Sequence, residues 1–383
     1  MPTPEPRLSL CVIARNEEAQ IERCLLSAKP IVDEMVVLDT GSTDRTREIA
    51  RVLGAAVFDW PWRDDFAAAR NAALDQATGD WTLWLDADEA LLPESQARVR
   101  ELVRWPDAQA YFVLRQEVEQ DGQTEGFVEM RQLRLWRQDP ALRFTGRCHP
   151  HMDAALDARA RRTGQRVWDS DVRIRHTGYM ADLLPGKLAR AARLLQMELA
   201  ERPGQIYYEV ELGRTWAILG DARGPALLDD VLARVLAAGP DVPPPPITAA
   251  VLERCLRADD PHSPQVAAVA LLVERWFPDS VPLLEAAAGA LYRREEFDRA
   301  ARLLERLVRV VETGTYDRAN AFPGWLLDPA PYLLNLAVCH HRMAHLDEAE
   351  RWYRRLLARV PGHAGALQNL GVLDEQRRLL AAG

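Results

Sequence analysis

The chain has 383 residues, of which 48% are apolar and 27% are charged, and its formal net charge is −9. This length predicts two or three domains, and this composition is typical of a globular protein with a sizeable core. The acidic balance argues against a general nucleic-acid-binding protein, which needs a basic face.

The first quarter of the chain alternates short apolar runs with helical patterns. The predicted strands cover residues 8–13, 34–38, 55–58 and 81–85, and the helices between them end near residues 28, 53 and 77. The runs are too uniformly apolar to alternate, which is typical of a parallel sheet covered on both faces and linked by right-handed crossovers. We therefore expect an α/β domain of the open, Rossmann-like type.

The fourth of these runs is followed directly by Asp86, Asp88 and Glu89. Ligands of open α/β sheets collect beyond the carboxyl ends of the strands. An extended backbone points residues i and i+2 to the same side, so Asp86 and Asp88 can face one point. Two carboxylates there suit a Mg²⁺ or Mn²⁺ ion that also holds a diphosphate. The chain also contains Asp169-Ser-Asp171, which no clear strand precedes, and which we interpret as a turn.

Two further polar clusters end predicted strands at the same edge. Arg15, Asn16 and Glu17 follow the first strand. The loop 39–44 follows the second, with a glycine for an unusual backbone angle and Asp44 as a predicted helix cap. The glycine-rich fingerprints of dinucleotide-binding and P-loop enzymes are missing from the sequence, which disfavours both classes.

Four segments together resemble glycosyltransferase family 2 with the GT-A fold, in the order and spacing of that family. They are residues 12–17, 36–44, 65–71 and 83–89. The resemblance is strongest to a bacterial subgroup that carries tetratricopeptide repeats and includes peptide glycosyltransferases. It implies a nucleotide-sugar donor, a divalent cation and a site at the strand ends described above.

The resemblance also implies roles for individual residues. Asp39 would bind the edge of uracil or an equivalent base, Asp88 would be the main ligand of Mn²⁺ or Mg²⁺, and Asp86 would lie near the ribose and the same ion. His176 would be a further ligand of the metal or the diphosphate; its alternative is a structural histidine that ends a strand and packs under Tyr179. The implied nucleotide-binding residues are Ala14, Arg15, Asn16, Glu17, Asp39, Gly41, Arg70, Asp86 and Ala87.

An inverting transfer needs a group that deprotonates the acceptor. The candidates are His151, His149, Asp153 and Glu129, each of which has a structural alternative. The histidines lie in a segment, 144–151, that resembles a subgroup segment ending in His-Glu, but Pro150 replaces the glutamate. His151 is attractive because an imidazole titrates near neutral pH.

The composition changes near residue 187, where Leu/Ala/Arg runs with helical spacing replace the strands. Weak internal similarity predicts about four tetratricopeptide-like units, with insertions at 240–246 and 312–331. The unit 332–361 fits the repeat best, and 367–380 is predicted as a closing helix. We therefore predict two domains, 1–186 with the GT-A fold and 187–383 as an all-α repeat domain.

Our leading hypothesis is a cytoplasmic, metal-dependent, inverting glycosyltransferase that uses a UDP-sugar. Scattered cysteines, a polar start and the absence of a long apolar stretch fit that compartment, without a transmembrane segment. The repeats would present a peptide or protein acceptor, pair subunits in a homodimer, or only support the catalytic domain. The alternatives are a saccharide or lipid-linked acceptor, or a non-catalytic scaffold on a dead transferase domain.

Overall fold

The computed structural model describes residues 5–117, 129–177, 184–242, 244, 246–319 and 322–382. The chain divides into two compact units, Met1–Asp221 and Ala222–Gly383. This division lies 35 residues beyond the predicted boundary at residue 186 (221 − 186 = 35). The reason is that two helices after residue 183 belong to the first unit, where Glu198 accepts a hydrogen bond from the backbone N–H of Arg147 (2.9 Å). Tyr179 lies outside the described residues.

The described part of the first unit contains strands and helices in alternation. The strands are β1 (Leu8–Ala14), β2 (Glu34–Asp39), β3 (Ala56–Asp59), β4 (Trp81–Trp84), β5 (Glu89–Leu91), β6 (Ala108–Glu117), β7 (Glu129–Arg137) and β8 (Arg166–His176). The helices are α1 (Ile21–Ala28), α2 (Thr46–Val52), α3 (Phe66–Leu74), α4 (Gln96–Leu102), α5 (Asp153–Thr163), α6 (Leu184–Glu201) and α7 (Ile206–Ile218). Short 3₁₀ helices lie at Lys29–Ile31 and Pro93–Ser95.

The strands form one sheet in the order β3-β2-β1-β4-β7-β6-β8-β5. The first four strands of the chain are parallel, which confirms the predicted parallel arrangement. β7 then pairs with β4 in the antiparallel direction, and β5 pairs antiparallel with β8. The carboxyl ends of β1, β2 and β4 therefore lie at one edge of the sheet.

The turn predicted at Asp169-Ser-Asp171 is wrong, because these residues lie inside β8. The pairing of β8 with β6 shifts register there: Phe112 pairs with Asp169, but Leu114 pairs with Arg173. The extra residues form a bulge, and the two carboxylates pair with arginines at the surface. A strand that carries a bulge and exposed charges lacks the apolar run that marked the other strands.

Both faces of the sheet are covered, as the uniformly apolar strands predict. Leu10 and Val12 of β1 belong to one core cluster, and Cys11 between them belongs to the other. α3 is rich in alanine because it packs closely on the second face, where Ala69 and Ala73 are fully buried. The five cysteines are all buried and free.

The second unit is a tetratricopeptide-like array of helices. Its helices are α8 (Arg223–Ala238), α9 (Ala249–Leu256), α10 (Pro264–Trp276), α11 (Val281–Arg293), α12 (Phe297–Thr313), α13 (Ala330–Arg342), α14 (Leu346–Arg359) and α15 (Ala364–Ala382), with 3₁₀ helices at Pro246–Thr248 and Gly324–Leu327. The repeat predicted at 332–361 is the pair α13 and α14, and the predicted closing helix is α15. Ala337, Ala349 and Tyr353 are fully buried in that pair. In the described ranges, no helix combines the length and the apolar content that a membrane crossing requires.

Candidate active site

A cleft of about 290 Å³ opens at the carboxyl-end edge of the sheet. Its walls come from the ends of β1 and β8, from the segments after β2 and β4, and from helices α3 and α6. The lining residues are Ile13, Ala14, Arg15, Glu17, Thr40, Trp62, Phe66, Arg70, Asp86, Ala87, Asp88, His176, Lys187 and Arg190. This is the place where open α/β sheets bind their ligands.

The structure brings most of the predicted site residues to this cleft. The predicted residues that do not line it are Asn16, Asp39 and Gly41 and the candidate bases His149, His151, Asp153 and Glu129. Sequence reasoning gave no role to Trp62 and Phe66, whose rings meet edge to face at 4.8 Å. It also gave none to Lys187 and Arg190, which bring two cations to the cleft; Arg190 lies over the Phe66 ring at 5.8 Å.

Asp39, the last residue of β2, precedes the cleft residue Thr40 and has only 1% of its surface exposed. Its Oδ1 accepts hydrogen bonds from the backbone N–H groups of Gly41 (3.1 Å) and Ser42 (2.9 Å). Gly41 allows this tight loop because its φ of 108° is a conformation that other residues avoid. Oδ2 is buried and has no hydrogen-bond partner among the described residues. A buried carboxylate oxygen without a donor is unusual in folded proteins.

Asn16 and Asp44 join the loops after β1 and β2. The backbone N–H of Asn16 donates to Ser42 Oγ (2.9 Å), and its side-chain Oδ1 accepts from the backbone N–H of Thr43 (2.8 Å). Asp44, the predicted cap, accepts from the backbone N–H of Thr46, the first residue of α2 (3.0 Å). Through these bonds Asn16 connects the loop after β1 to the loop after β2 beside the cleft.

Asp86 is held by several side chains at once. Its Oδ1 accepts from Arg70 Nη2 (3.0 Å) and Trp84 Nε1 (3.1 Å), and its Oδ2 accepts from Arg134 Nη2 (2.8 Å). Burial alone would raise the pKa of Asp86, but Arg134 and Arg70 hold it well below its ordinary value. Asp86 is therefore a fixed anion whose oxygens are engaged by protein donors.

Asp88 faces the cleft in a different environment. The pKa of this carboxyl is lowered despite its burial, chiefly through His176, whose Nε2 lies 3.3 Å from Asp88 Oδ2. The other ring nitrogen, Nδ1, lies 2.5 Å from Glu117 Oε2. Burial lowers the pKa of His176, but the bonds to Asp88 and Glu117 outweigh it and raise the pKa to about 9.

Glu17 adds a third carboxyl group to the cleft. Burial raises its pKa to about 7, and the negative charge of Asp88 adds to the shift. The cations Lys187 and Arg190 act in the opposite direction. The cleft therefore combines acidic groups with cationic groups of α6, which suits a ligand that carries phosphates together with a metal ion.

Comparison with known proteins assigns the amino-terminal domain. The model of the family described as "Glycosyl transferase family 2" matches residues 9–164. These residues are a glycosyl transferase family 2 domain. The match runs from β1 to the end of α5 and contains all four sequence segments, which confirms the resemblance inferred from them.

Relatives of the family 2 domain include a TPR repeat-containing protein of Synechococcus elongatus, which is 41% identical over 222 residues, 57% of this chain and 54% of that protein. An uncharacterized glycosyltransferase of Rickettsia typhi is 41% identical over 93 residues, 24% of this chain and 32% of that protein. The glycosyltransferase SunS of Bacillus subtilis is 32% identical over 107 residues, 26% of this chain and 24% of that protein. The chain thus spans about half the length of the first relative and a third or less of the other two.

The first unit contains a donor set that fits a divalent cation. Among the described residues, no group of three or more metal-ligating side chains is present. Asp88 Oδ2 and His176 Nε2, however, lie 3.3 Å apart at the cleft wall. Two neighbouring ligands of an octahedral ion at about 2.1 Å are separated by roughly 3 Å, and Mg²⁺ commonly binds one or two protein groups together with substrate phosphates. The geometry favours Asp88 over Asp86 as the carboxylate ligand.

Arg134 is a residue of the site that sequence reasoning missed. It lies on β7 with 5% of its surface exposed, and its Nη2 donates both to Asp86 and to Glu89 Oε1 (2.7 Å). Glu89 is fully buried, and burial raises its pKa even though Arg134 lies beside it. The available signal was an arginine within the apolar run Leu133-Arg-Leu-Trp136 of a strand. Its partners are 45 and 48 residues away, so only the fold brings them together.

The four candidate bases lie apart from the lining of the cleft. His149 has a φ of 50° and lies 3.4 Å from Glu211 of α7. His151 lies 3.4 Å from Asp153, and its ring is 5.5 Å from that of Tyr207, also on α7. Glu129 pairs with Arg173 (3.2 Å) across the sheet. The structure therefore places the two histidines and Asp153 near α7, while Glu129 lies elsewhere.

Proposed function

We propose that the family 2 domain is an inverting glycosyltransferase that takes a sugar from a nucleotide sugar, a UDP-sugar, with the help of Mn²⁺ or Mg²⁺. The observation that carries this proposal is the environment of the Asp88 carboxylate. Its carboxylate is 18% exposed on the cleft wall beside His176, whereas the carboxylate of Asp86 is already held by two arginines. A divalent cation bound by Asp88 and His176 would neutralise the charge of the leaving diphosphate.

The nucleoside preference follows from Asp39. Its buried Oδ2 accepts no hydrogen bond from the described protein residues. The uracil ring carries an N–H at position 3 that can donate to this oxygen, while cytosine has no hydrogen there. A donor for Oδ2 would remove the cost of an unsatisfied buried acceptor, which is about 1–3 kcal/mol and larger for a charged group. This supports a uridine over a cytidine nucleotide beside Thr40.

The diphosphate would lie between the proposed cation and α6. Lys187 and Arg190 are exposed residues that line the cleft from that helix. Charge-assisted hydrogen bonds from lysine and arginine to phosphate are about twice as strong as neutral ones. Arg70, which is held by Asp86 and lies 5.0 Å over the Trp84 ring, lines the cleft from α3.

For the acceptor, we propose a peptide or protein side chain. The support is the second unit, because stacked helix pairs present surfaces that hold peptides. A saccharide or lipid-linked acceptor is the alternative. His151, His149, Asp153 and Glu129 remain the predicted bases, and a cytoplasmic location and homodimer formation remain predictions.

The test is a thermal-shift panel of UDP-, GDP- and CDP-sugars with and without Mn²⁺, since a ligand that binds the native state raises its melting temperature. We expect the largest shift with a UDP-sugar and Mn²⁺. Asp88→Asn should abolish the Mn²⁺-dependent part, and Asp39→Asn should remove the preference for uridine. Asp59→Asn is the matched control, because Asp59 pairs with Asp39 in the next strand and is exposed.

Hydrolysis of the UDP-sugar in the presence of Mn²⁺ completes the test. If Asp88→Asn hydrolyses the donor as fast as the parent, the metal assignment fails. If the parent chain binds no nucleoside diphosphate in any condition, the scaffold function replaces the enzymatic one.

A further inference from the structure

The imidazole of His176 is clamped between two carboxylates from different strands. Nδ1 lies 2.5 Å from Glu117 Oε2, and Nε2 lies 3.3 Å from Asp88 Oδ2. Only 12% of the histidine side chain is exposed. Both ring nitrogens therefore have fixed partners, and rotation of the ring would break both contacts.

Strand pairing builds this arrangement. His176 is the last residue of β8, where it pairs with Glu117, the last residue of β6. On its other side it pairs with Glu89, the first residue of β5, so Asp88 is the adjacent residue of the chain. The three side chains are thus brought together by the register of three neighbouring strands.

The carboxylate of Glu117 also forms an ion pair with an arginine. Arg115, two residues earlier on the same strand, pairs with the other carboxylate oxygen, Glu117 Oε1. Arg115 also lies 3.9 Å from the fully buried Glu89. The carboxylate of Glu117 is therefore anchored as an anion, with Oε2 directed at His176 Nδ1.

A neutral imidazole carries a hydrogen on one nitrogen and a lone pair on the other. A carboxylate is only an acceptor, so a nitrogen that faces it carries a hydrogen, and without a metal this holds for both Nδ1 and Nε2 of His176. Histidines that bind metals commonly donate their second N–H to a carboxylate, which fixes the ring and its tautomer. In this chain that second carboxylate is Glu117, and a cation bound at Asp88 would take the place of the hydrogen on Nε2.

We propose that Glu117 is a positioning residue for the cation site: it keeps a hydrogen of His176 on Nδ1, so that Nε2 is the nitrogen that releases its hydrogen to solvent and joins Asp88 in binding Mn²⁺ or Mg²⁺. This inference rests on the proposed function, because it assumes that a cation binds at Asp88. Glu117 does not line the cleft and acts only through His176.

The test is binding of Mn²⁺ alone to the full chain, measured by EPR without any sugar donor. Pulsed EPR of the bound ion detects the nitrogen of a coordinated imidazole, and His176→Gln identifies that signal. We expect Glu117→Leu to weaken Mn²⁺ binding by about 10- to 100-fold and to reduce the nitrogen signal. Glu117→Gln keeps an oxygen that can accept from Nδ1, so it should lose less affinity and retain the signal.

Asp169→Asn is the matched control. It removes one negative charge from the same sheet, at an exposed pair with Arg131 that does not touch His176. We expect this variant to bind Mn²⁺ as the parent does. Equal weakening in Asp169→Asn and Glu117→Leu would overturn the proposal, because net charge rather than the contact would then explain the loss.

Two outcomes separate this proposal from the proposed function. If Asp88→Asn binds Mn²⁺ as tightly as the parent, the cation site itself is wrong. If Asp88→Asn and His176→Gln lose binding while the folded Glu117 variants keep the parent affinity and nitrogen signal, only the positioning role is overturned. Circular dichroism checks that each variant is folded. If Glu117→Leu does not fold, the Mn²⁺ affinity and nitrogen signal of Glu117→Gln are used alone to test the positioning role.

Discussion

Arg134 and Asp86 form an ion pair of 2.8 Å at the carboxyl end of β4. The same guanidinium nitrogen of Arg134 also pairs with Glu89 at 2.7 Å, and Glu89 is fully buried. Two carboxylates of the acidic segment therefore share one buried cation. This arrangement makes the shape of the cleft wall depend on a residue that does not line it.

Replacement of Arg134 by methionine should destabilise the first unit strongly. The substitution leaves Glu89 without its nearest cation, and removing one partner of a buried pair typically costs about 3–5 kcal/mol. The double variant Arg134→Met/Glu89→Gln should recover part of this loss, because no uncompensated buried charge remains at Glu89. Urea unfolding followed by circular dichroism measures the difference.

Arg131→Met is the control for this prediction. Arg131 lies on the same strand, but its pair with Asp169 is exposed, and exposed pairs contribute less than about 1 kcal/mol. Equal free energies of unfolding for Arg131→Met and Arg134→Met would show that the buried pairs of Arg134 contribute no more stability than an exposed pair.

The acidic segment shows what the sequence could and could not predict. The strand before Asp86 and the position of Asp88 at the sheet edge follow from a local apolar run and the alternation of an extended backbone. The different environments of Asp86 and Asp88 depend on Arg134 and His176, which come from β7 and β8. No local pattern encodes a contact between residues 48 or 88 positions apart in sequence (134 − 86 = 48; 176 − 88 = 88).

The same reason explains the missed elements. β8 carries a bulge and exposed carboxylates, so its residues lack the periodicity of a strand, although the pairing with β6 determines it. α5 was not predicted as a helix because it lacks a clear apolar face; its buried residues are Leu156 and Arg159. The predicted bases His149 and His151 were chosen for their chemistry, and their position near α7 depends on the tertiary fold.

Gly146 lies where a residue of the neighbouring helix α7, in the same unit, leaves no room for a side chain. Its φ is 100°, and a Cβ atom at this position would lie 1.9 Å from Tyr208 Oη. We expect Gly146→Ala to lose stability for two reasons, the backbone conformation (about 1–3 kcal/mol) and the overpacking against Tyr208 (about 1–3 kcal/mol). Thermal unfolding measures the sum.

Gly54→Ala separates the two contributions. Gly54 has a similar φ of 92°, but a Cβ atom placed there would meet no atom of the described residues within 4 Å. It should therefore show only the cost of the backbone conformation. The double variant Gly146→Ala/Tyr208→Phe should regain part of the loss, since it removes the atom that lies nearest to the new methyl group. If Gly146→Ala is no less stable than Gly54→Ala, the close approach of Tyr208 is not a constraint.

His340 is a partly buried histidine of the second unit that lies on α13. Its side chain is 12% exposed, and neither ring nitrogen has a hydrogen-bond partner among the described residues. Glu305 of α12 lies 3.9 Å from Nε2, and the His345 ring lies 6.0 Å away. Burial lowers the pKa of His340, His345 and Arg351 lower it further, and Glu305 and Glu348 oppose the shift.

This lowered pKa predicts that the second unit becomes less stable as the pH falls below the ordinary histidine pKa of about 6.5. In that range the unfolded chain binds a proton at His340 that the folded chain does not bind, so protonation favours unfolding. A single proton contributes at most about 1.4 kcal/mol per pH unit. Thermal unfolding at pH 7.5 and 5.5 should therefore show a larger acid-induced loss for the parent than for His340→Gln, which cannot titrate. His363→Gln, at a histidine outside this cluster, should behave like the parent, and identical pH dependence in the His340→Gln variant would contradict the assignment.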